Sequence, residues 1–186
     1  LAKAKRAVRE RVRFARGDLR TLKLGRRFPL VVAPFNVLNH LYARTDMERA
    51  LATVRAHLAP GGRFVFDVVL PYPPNLARDP AHFYRAPDVK LASDGKTYRY
   101  AESFQYDPVT QVQLVTMAFS EKADPTNTFV VPLTHREIFP EELAMLLHYN
   151  GFELVSRHGG FEGEALTMES ESQVIVARAS TKGGRR

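Results

Sequence analysis

The sequence of 186 residues contains no cysteine. The protein therefore has no disulfide, no thiolate nucleophile and no thiolate metal ligand, and this composition fits a cytoplasmic protein. No stretch approaches the ~20 apolar residues that a membrane-spanning helix needs. The Gly-x-Ser-x-Gly motif of nucleophile-elbow hydrolases and any His/Asp/Glu spacing typical of metal sites are also missing. We therefore expect no membrane span, no metal site and no hydrolase of that type.

Acidic residues are scarce at the front of the chain. Residues 1–27 contain eleven Lys and Arg against two acids, a local charge of +9, whereas the net charge of the whole chain is +7. A basic segment of this kind either binds nucleic acid or forms a solvated helix face. Phe14 is the one aromatic residue interleaved with these cations, so little is available to stack on bases. We therefore favour a solvated helix face for this segment over nucleic-acid binding.

The first half of the chain has the pattern of a β-α-β unit. Residues 30–35 and 63–69 are continuous apolar runs, typical of parallel strands buried on both faces. Between them, Thr45 and Glu48 have the spacing of a capping box, and apolar residues follow at helical intervals up to Pro60-Gly61-Gly62. We predict parallel strands with a right-handed crossover. Upstream, the composition predicts a helix over residues 1–11 and a short strand over residues 12–15.

The second half of the chain has the alternation of antiparallel strands. Five prolines between residues 71 and 87 indicate an irregular stretch. Residues 98–106 and 111–120 then alternate and predict a hairpin, followed by a third strand over residues 129–138. Pro140 is suited to begin a helix that reaches about residue 149. Residues 152–156 and 173–179 predict the last two strands, and residues 181–186 a frayed tail. We expect one domain over residues 1–186, with an inserted β-rich subdomain at about 71–138.

Three segments carry a resemblance to a known family. They are Gly17-Asp18-Leu19, residues 27–36, and the Leu-Ala-Pro-Gly-Gly run of residues 58–62. Together with the pattern of the last third of the chain, they resemble class I S-adenosylmethionine (SAM)-dependent methyltransferases. The resemblance implies an α/β, Rossmann-like sheet with a reversed final strand, SAM as the cofactor and S-adenosylhomocysteine as its product. The inserted strands resemble the substrate-side subdomain of small-molecule methyltransferases, which implies methylation of an N or O atom of a small molecule.

The chain departs from the family pattern at its front. Family members have a Gly-rich loop after the first strand and an acidic residue at the end of the second, and neither is found here. We expect that about two strands and a helix are missing, so that the sheet is truncated at its N-terminal side. A truncated sheet exposes an edge and apolar surface. This predicts instability of the chain alone, homodimer formation or weak SAM binding.

Ligands of such sheets bind beyond the carboxyl ends of the strands. By resemblance, SAM would contact Asp18, Leu19, Pro34, Phe35 and Asn36, with Asp18 accepting a hydrogen bond from the adenine amino group. His40 is the predicted catalytic base, because imidazole titrates near neutral pH. The candidate substrate-binding residues are Tyr84, Tyr98, His135 and Arg136. Arg136 would bind an anionic group in bidentate fashion, and Asp67 either faces the cleft or caps its strand.

Two other functions stay open at this stage. The basic front favours an RNA or protein methyltransferase, although the Asn/Asp-Pro-Pro-aromatic signature of base-amino methyltransferases is missing after residue 33. A non-catalytic binding module with the methyltransferase fold is the other alternative. Because the activated methyl group belongs to the cofactor, the lack of an obvious catalytic cluster does not decide between these functions.

Overall fold

A computed structural model describes residues 11–181, which form a mixed α/β fold with two four-stranded sheets. The strands are β1 (Phe28–Ala33), β2 (Leu58–Val69), β3 (Tyr84–Lys90), β4 (Thr97–Asp107), β5 (Val112–Glu121), β6 (Thr128–Arg136), β7 (Phe152–His158) and β8 (Ser172–Ala179). The helices are a 3₁₀-helix (Val37–His40), α1 (Arg44–His57), α2 (Pro73–Leu76) and α3 (Pro140–Tyr149). All but the last residue of the predicted helix over residues 1–11 and all but the first residue of the predicted tail lie outside the described residues.

The first sheet has the strand order β1-β2-β8-β7. β1 and β2 are parallel, as the β-α-β pattern predicts, whereas β8 runs antiparallel to both β2 and β7. The prediction of a reversed final strand is thereby confirmed. β1 lies at the edge of this sheet in the described part of the chain.

Helices α1 and α3 cover one face of the first sheet. Phe64 and Phe66 on β2 are fully buried there, with ring centroids 4.6 Å apart, and they pack against Leu51 of α1 and Leu147 of α3. Side chains that alternate to the opposite face are less covered: Leu30 is 52% exposed. The core therefore lies between the sheet and its two helices.

The second sheet is built from one continuous segment, residues 84–136. Its strand order is β3-β4-β5-β6, and all neighbours are antiparallel. The predicted hairpin and third strand are confirmed, and the register places Tyr98, Tyr100, Phe104 and Tyr106 on one face. These four strands lie within the predicted insertion at about 71–138.

Several local predictions are wrong. β3 and α2 form inside the stretch read as irregular, because an edge strand tolerates Pro87 at the shift in register between Ala86 and Val89. Residues 12–15 are exposed and form no strand. The capping box is not made, because α1 begins at Arg44 and its N-cap residue, Ala43, has no side-chain acceptor.

The Pro-Gly-Gly run marks a strand and not a helix end. α1 ends at His57, and β2 already begins at Leu58. A Cβ atom on Gly62 would lie 3.0 Å from the Ala59 carbonyl oxygen and 3.1 Å from that of Phe28. The second glycine therefore permits the close approach of β1 to β2. Among residues 11–181, no helix combines the length and apolar character needed to cross a membrane.

Candidate active site

The turn that follows β1 is strained at the carboxyl edge of the parallel strands. Phe35 and Asn36 have φ values of 65° and 54°, in the left-handed region that non-glycine residues rarely adopt. This conformation costs roughly 1–2 kcal/mol per residue. Phe35 is 88% exposed, and Asn36 Oδ1 is buried without a hydrogen-bond partner in the described structure. Backbone strain combined with an exposed aromatic ring and an unpaired oxygen is typical of a ligand site.

Asn39 joins the two sheets. It is fully buried in the 3₁₀-helix, its Nδ2 donates to the Arg136 carbonyl oxygen at 2.7 Å, and its Oδ1 accepts from the Val69 amide at 3.2 Å. One side chain thus connects the end of β2 to the end of β6. The sequence analysis missed Asn39, for which the available signal was a polar residue between the apolar Leu38 and Leu41.

His40 lies next to this junction and is exposed. Its Nδ1 is 3.1 Å from the carbonyl oxygen of Thr134. Because a carbonyl can only accept, Nδ1 carries a hydrogen, and in the neutral ring Nε2 then has the lone pair. The Tyr42 hydroxyl also contacts Thr134, at 3.1 Å from the carbonyl oxygen and 2.6 Å from the side-chain hydroxyl. The ring of His40 is therefore oriented by β6, with its basic nitrogen available.

Asp67 lies one residue beyond the last pairing of β2 with β1. It is 5% exposed, and its Oδ1 has no hydrogen-bond partner in the described structure. A buried carboxylate oxygen without a donor is costly unless a ligand or an ordered water satisfies it. Asp67 thus adds a second unpaired acceptor at the same edge as Asn36.

The Gly17-Asp18-Leu19 turn lies near the start of α1. The Arg20 guanidinium and backbone amide both donate to the Asp18 carboxylate, and these hydrogen bonds lower the pKa of Asp18 to about 2. Arg20 also contacts Asp46 in the first turn of α1 at 3.0 Å. Because α1 begins just after the 3₁₀-helix, these contacts place Asp18 on the carboxyl side of the sheet. Leu19 is half-buried against the core.

The segment after Asp18 runs alongside α1 to the C-terminal end of that helix. The Leu24 amide donates to Nε2 of His57, the last residue of α1, at 2.9 Å. His57 Nδ1 is 2.7 Å from the Thr53 carbonyl, so both ring nitrogens are engaged. The segment between Asp18 and β1 is thereby held along the length of the helix.

The candidate substrate residues on β3 and β4 have different environments. Tyr84 is half-buried, and the Arg78 guanidinium lies 4.3 Å from its ring centroid. Tyr98 is 2% exposed, its hydroxyl donates to Asp94 at 2.8 Å, and it pairs with Glu121 at the far end of the sheet from Thr134. The expectation that Tyr98 lines the substrate site is therefore corrected: its ring is a core element of the second sheet.

The candidate residues at the end of β6 are engaged within the protein. His135 Nε2 lies 2.8 Å from Glu137 Oε1, and both side chains are buried. Arg136 contacts Glu142 at 2.6 Å and Gln111 at 3.0 Å. This ion pair corrects the expectation that Arg136 is free to bind an anion in bidentate fashion. Glu137, which the sequence analysis did not single out, supplies the buried partner of His135.

Comparison with known proteins relates this geometry to methyltransferases. No protein-family model and no curated protein matches the chain. Among solved structures, the CcbJ methyltransferase from Streptomyces caelestis has 26% identity and a TM-score of 0.71 over 89% of this chain and 62% of that one. A SAM-dependent methyltransferase from Clostridium acetobutylicum has 16% identity and a TM-score of 0.74, over 96% and 70% respectively. The amino pentose methyltransferase CalS10 from Micromonospora echinaspora, with SAM bound, has 22% identity and a TM-score of 0.66, over 88% and 63%.

These similarities establish the fold. All three structural neighbours are methyltransferases; one is described as SAM-dependent, and another acts on an amino pentose and has SAM bound. The chain spans between 62% and 70% of the length of these three proteins. Within residues 11–181, no group of three or more metal-ligating side chains converges.

Proposed function

We propose that this protein is a SAM-dependent methyltransferase that methylates an N or O atom of a small molecule. The observation that carries the proposal is the oriented His40 at the carboxyl edge of the first sheet, 3.1 Å from the Thr134 carbonyl of the second sheet. This edge is where ligands of open α/β sheets bind. The similarity to methyltransferases that include a SAM complex supports the same conclusion.

The residues present at this edge fit SAM. Asp18 stays ionised across the physiological pH range, because its pKa is lowered to about 2, and can accept a hydrogen bond from an amino group. Leu19, Pro34 and the exposed Phe35 ring offer apolar contacts, and the unpaired Oδ1 of Asn36 offers an acceptor. We assign these five residues to cofactor binding. When bound, SAM supplies an electrophilic methyl group on a positively charged sulfur.

His40 is assigned as the base. Its Nε2 lone pair can take the proton that an ammonium or hydroxyl acceptor must lose, while Nδ1–H stays on the Thr134 carbonyl. Because that carbonyl belongs to β6, the second sheet fixes the direction in which the basic nitrogen points. The Tyr42 hydroxyl contacts the same Thr134 carbonyl oxygen at 3.1 Å without touching the basic nitrogen of His40. We assign Tyr84 and the His135–Glu137 pair to the acceptor side.

The first experiment is a calorimetric titration of SAM and S-adenosylhomocysteine into the protein. We expect binding in the micromolar range, weakened about tenfold by Phe35→Ala through the loss of apolar contact. Val109→Ala is the matched control, because Val109 is 90% exposed on the β4–β5 turn. Failure of the protein to bind either compound would refute the proposal.

The second experiment measures methyl transfer to a panel of amine and hydroxyl acceptors. His40→Asn keeps an N–H that can donate to Thr134 but removes the basic nitrogen. We expect it to lower kcat by about 100-fold, within the range of general-base catalysis, with SAM affinity unchanged. Tyr42→Phe, which keeps the ring and the basic nitrogen of His40, should retain most of the activity. Equal activity of His40→Asn and the wild type would remove His40 from the mechanism.

A further inference from the structure

The second sheet carries a cavity of about 530 Å³ away from His40. Its floor is formed by small residues on three adjacent strands: Ala101 of β4 lies directly across from Ala118 of β5, which lies across from Val130 of β6. Ser120 extends this floor by one row. Small side chains in register on neighbouring strands leave a hollow above the sheet. A cavity of this size can hold a small organic molecule.

Aromatic stacking makes the strands under this floor rigid. The adjacent residues Tyr100, Phe119 and Phe129 pair across the same three strands, but alternation turns their side chains to the opposite face. The Tyr100 and Phe119 ring centroids are 4.9 Å apart, and those of Phe119 and Phe129 are 4.8 Å apart with nearly parallel planes. The hollow is therefore formed before any ligand arrives, which lowers the entropic cost of binding.

The rim of the cavity is positively charged. Arg85 and Arg99 border it. The Asp88 carboxylate is bound by Lys122 at 2.8 Å and only loosely by Arg85 at 3.7 Å. Within residues 11–181, no carboxylate lies within ion-pair distance of Arg99. Lys122 and Arg85 therefore share one carboxylate while Arg99 has none, which leaves an excess of positive charge beside an apolar floor.

This cavity is separate from the methyl-transfer edge. Val130 and Thr134 lie on the same face of β6, four residues apart, which corresponds to about 14 Å along the strand. A ligand in the cavity would thus not contact His40 unless it were long enough to span that distance.

We propose that this cavity is a binding site for a small organic anion, such as a carboxylate, sulfonate or phosphate attached to an apolar ring. The apolar part lies on Ala101, Ala118 and Val130, and the anionic group is held by Arg85 and Arg99. The charge at the rim selects an anion over a neutral or cationic molecule of the same shape. This site is independent of the proposed methyl transfer, so each can fail without the other.

The test is a fluorescence titration with 8-anilinonaphthalene-1-sulfonate, and with its uncharged parent N-phenyl-1-naphthylamine. Ala118→Leu fills the hollow, whereas Ala52→Leu adds the same volume to an exposed position on α1. Arg99→Gln removes a rim charge, whereas Arg49→Gln removes one from the exposed surface of α1. We expect Ala118→Leu to raise the Kd of the anionic dye at least about tenfold and Arg99→Gln about three- to tenfold, as the loss of one solvent-exposed hydrogen bond would.

For the two control variants, Ala52→Leu and Arg49→Gln, the Kd of the anionic dye should stay within about twofold of the wild-type value. If the anionic dye binds Ala118→Leu as tightly as the wild type, the cavity is not the binding site and the proposal is wrong. An uncharged dye that binds as tightly as the anionic one would overturn the choice of an anion. Light scattering at each protein concentration completes the test: loss of dye binding in step with dimer formation would show that a second copy, and not a small anion, covers this face.

Discussion

The two sheets have equal numbers of strands but are stabilised in different ways. The first is closed on one face by α1 and α3, and its central rings, Phe64 and Phe66, are fully buried. The second has no long helix of its own among the described residues, and its rings stack while partly exposed. Ion pairs also stabilise the end of the second sheet that is farthest from Thr134, as between Lys96 and Glu121 at 2.8 Å.

This difference separates a sheet whose side chains are enclosed in a core from a sheet whose side chains are largely at the surface. The first sheet fixes the strained turn at Phe35 and the 3₁₀-helix, because its core leaves the strands little freedom. The second sheet presents half-exposed side chains and a cavity, so its residues can change with little effect on the core. The four predictions below test this comparison.

The largest difference is expected between equivalent aromatic truncations. Phe66→Ala should lower the free energy of unfolding by roughly 3–5 kcal/mol, because it opens a cavity in the closed core. Phe119→Ala, in the half-exposed stack of the second sheet, should lower it by roughly 1–2 kcal/mol. Chemical denaturation monitored by circular dichroism measures both. Equal losses would show that the two sheets are stabilised alike.

Next in size is the connection between the sheets. Asn39→Ala should lower the free energy of unfolding by roughly 1–3 kcal/mol, because it leaves the half-buried Val69 amide and Arg136 carbonyl without these partners. Asn150→Ala, which loses a single bond to the Leu146 carbonyl at the end of α3, is the matched control. Hydrogen exchange should increase at the ends of both β2 and β6 in Asn39→Ala alone. If the two variants have equal free energies of unfolding, the Asn39 connection between the sheets stabilises the protein no more than an ordinary hydrogen bond does.

A smaller effect of opposite sign is expected at the strained turn. Phe35→Gly should raise the free energy of unfolding by roughly 0.5–1 kcal/mol, because glycine adopts positive φ without strain and the ring is 88% exposed. Phe161→Gly, at a position 62% exposed, should not stabilise the protein. Thermal denaturation distinguishes the two variants. A destabilised Phe35→Gly would mean that the ring packs in solution and that the turn is not strained.

The smallest effect depends on pH. The pKa of Asp18 is lowered to about 2 by its hydrogen bonds with Arg20, so its contribution to stability is complete above the unfolded pKa of about 3.9. It is lost as the pH falls towards 2. The difference in Tm between the wild type and Asp18→Asn should therefore be constant above about pH 4 and vanish near pH 2. A difference that grows in acid would contradict the assigned contact.

The elements that depend on local pattern were predictable. Continuous apolar runs predict β1 and β2, but the expected burial of both faces is wrong for β1, because Leu30 is 52% exposed on the face opposite the helices. Alternation with a four-residue turn predicts the β4–β5 hairpin, and Pro140 followed by two glutamates predicts α3. β3 was not predictable in the same way, because Pro87 argues against a strand unless an edge and a shift in register accommodate it.

The sequence by itself determined most of the strands and the two long helices, because these depend on residues within a few positions of one another. Only the tertiary structure decided the contacts of the candidate site. His40 and Thr134 are 94 positions apart, and Asn39 and Arg136 are 97 apart. No local period encodes a hydrogen bond to a backbone carbonyl at such a separation. These bonds exist because the 3₁₀-helix of the first sheet docks against β6 of the second, and that docking depends on the packing of the whole chain.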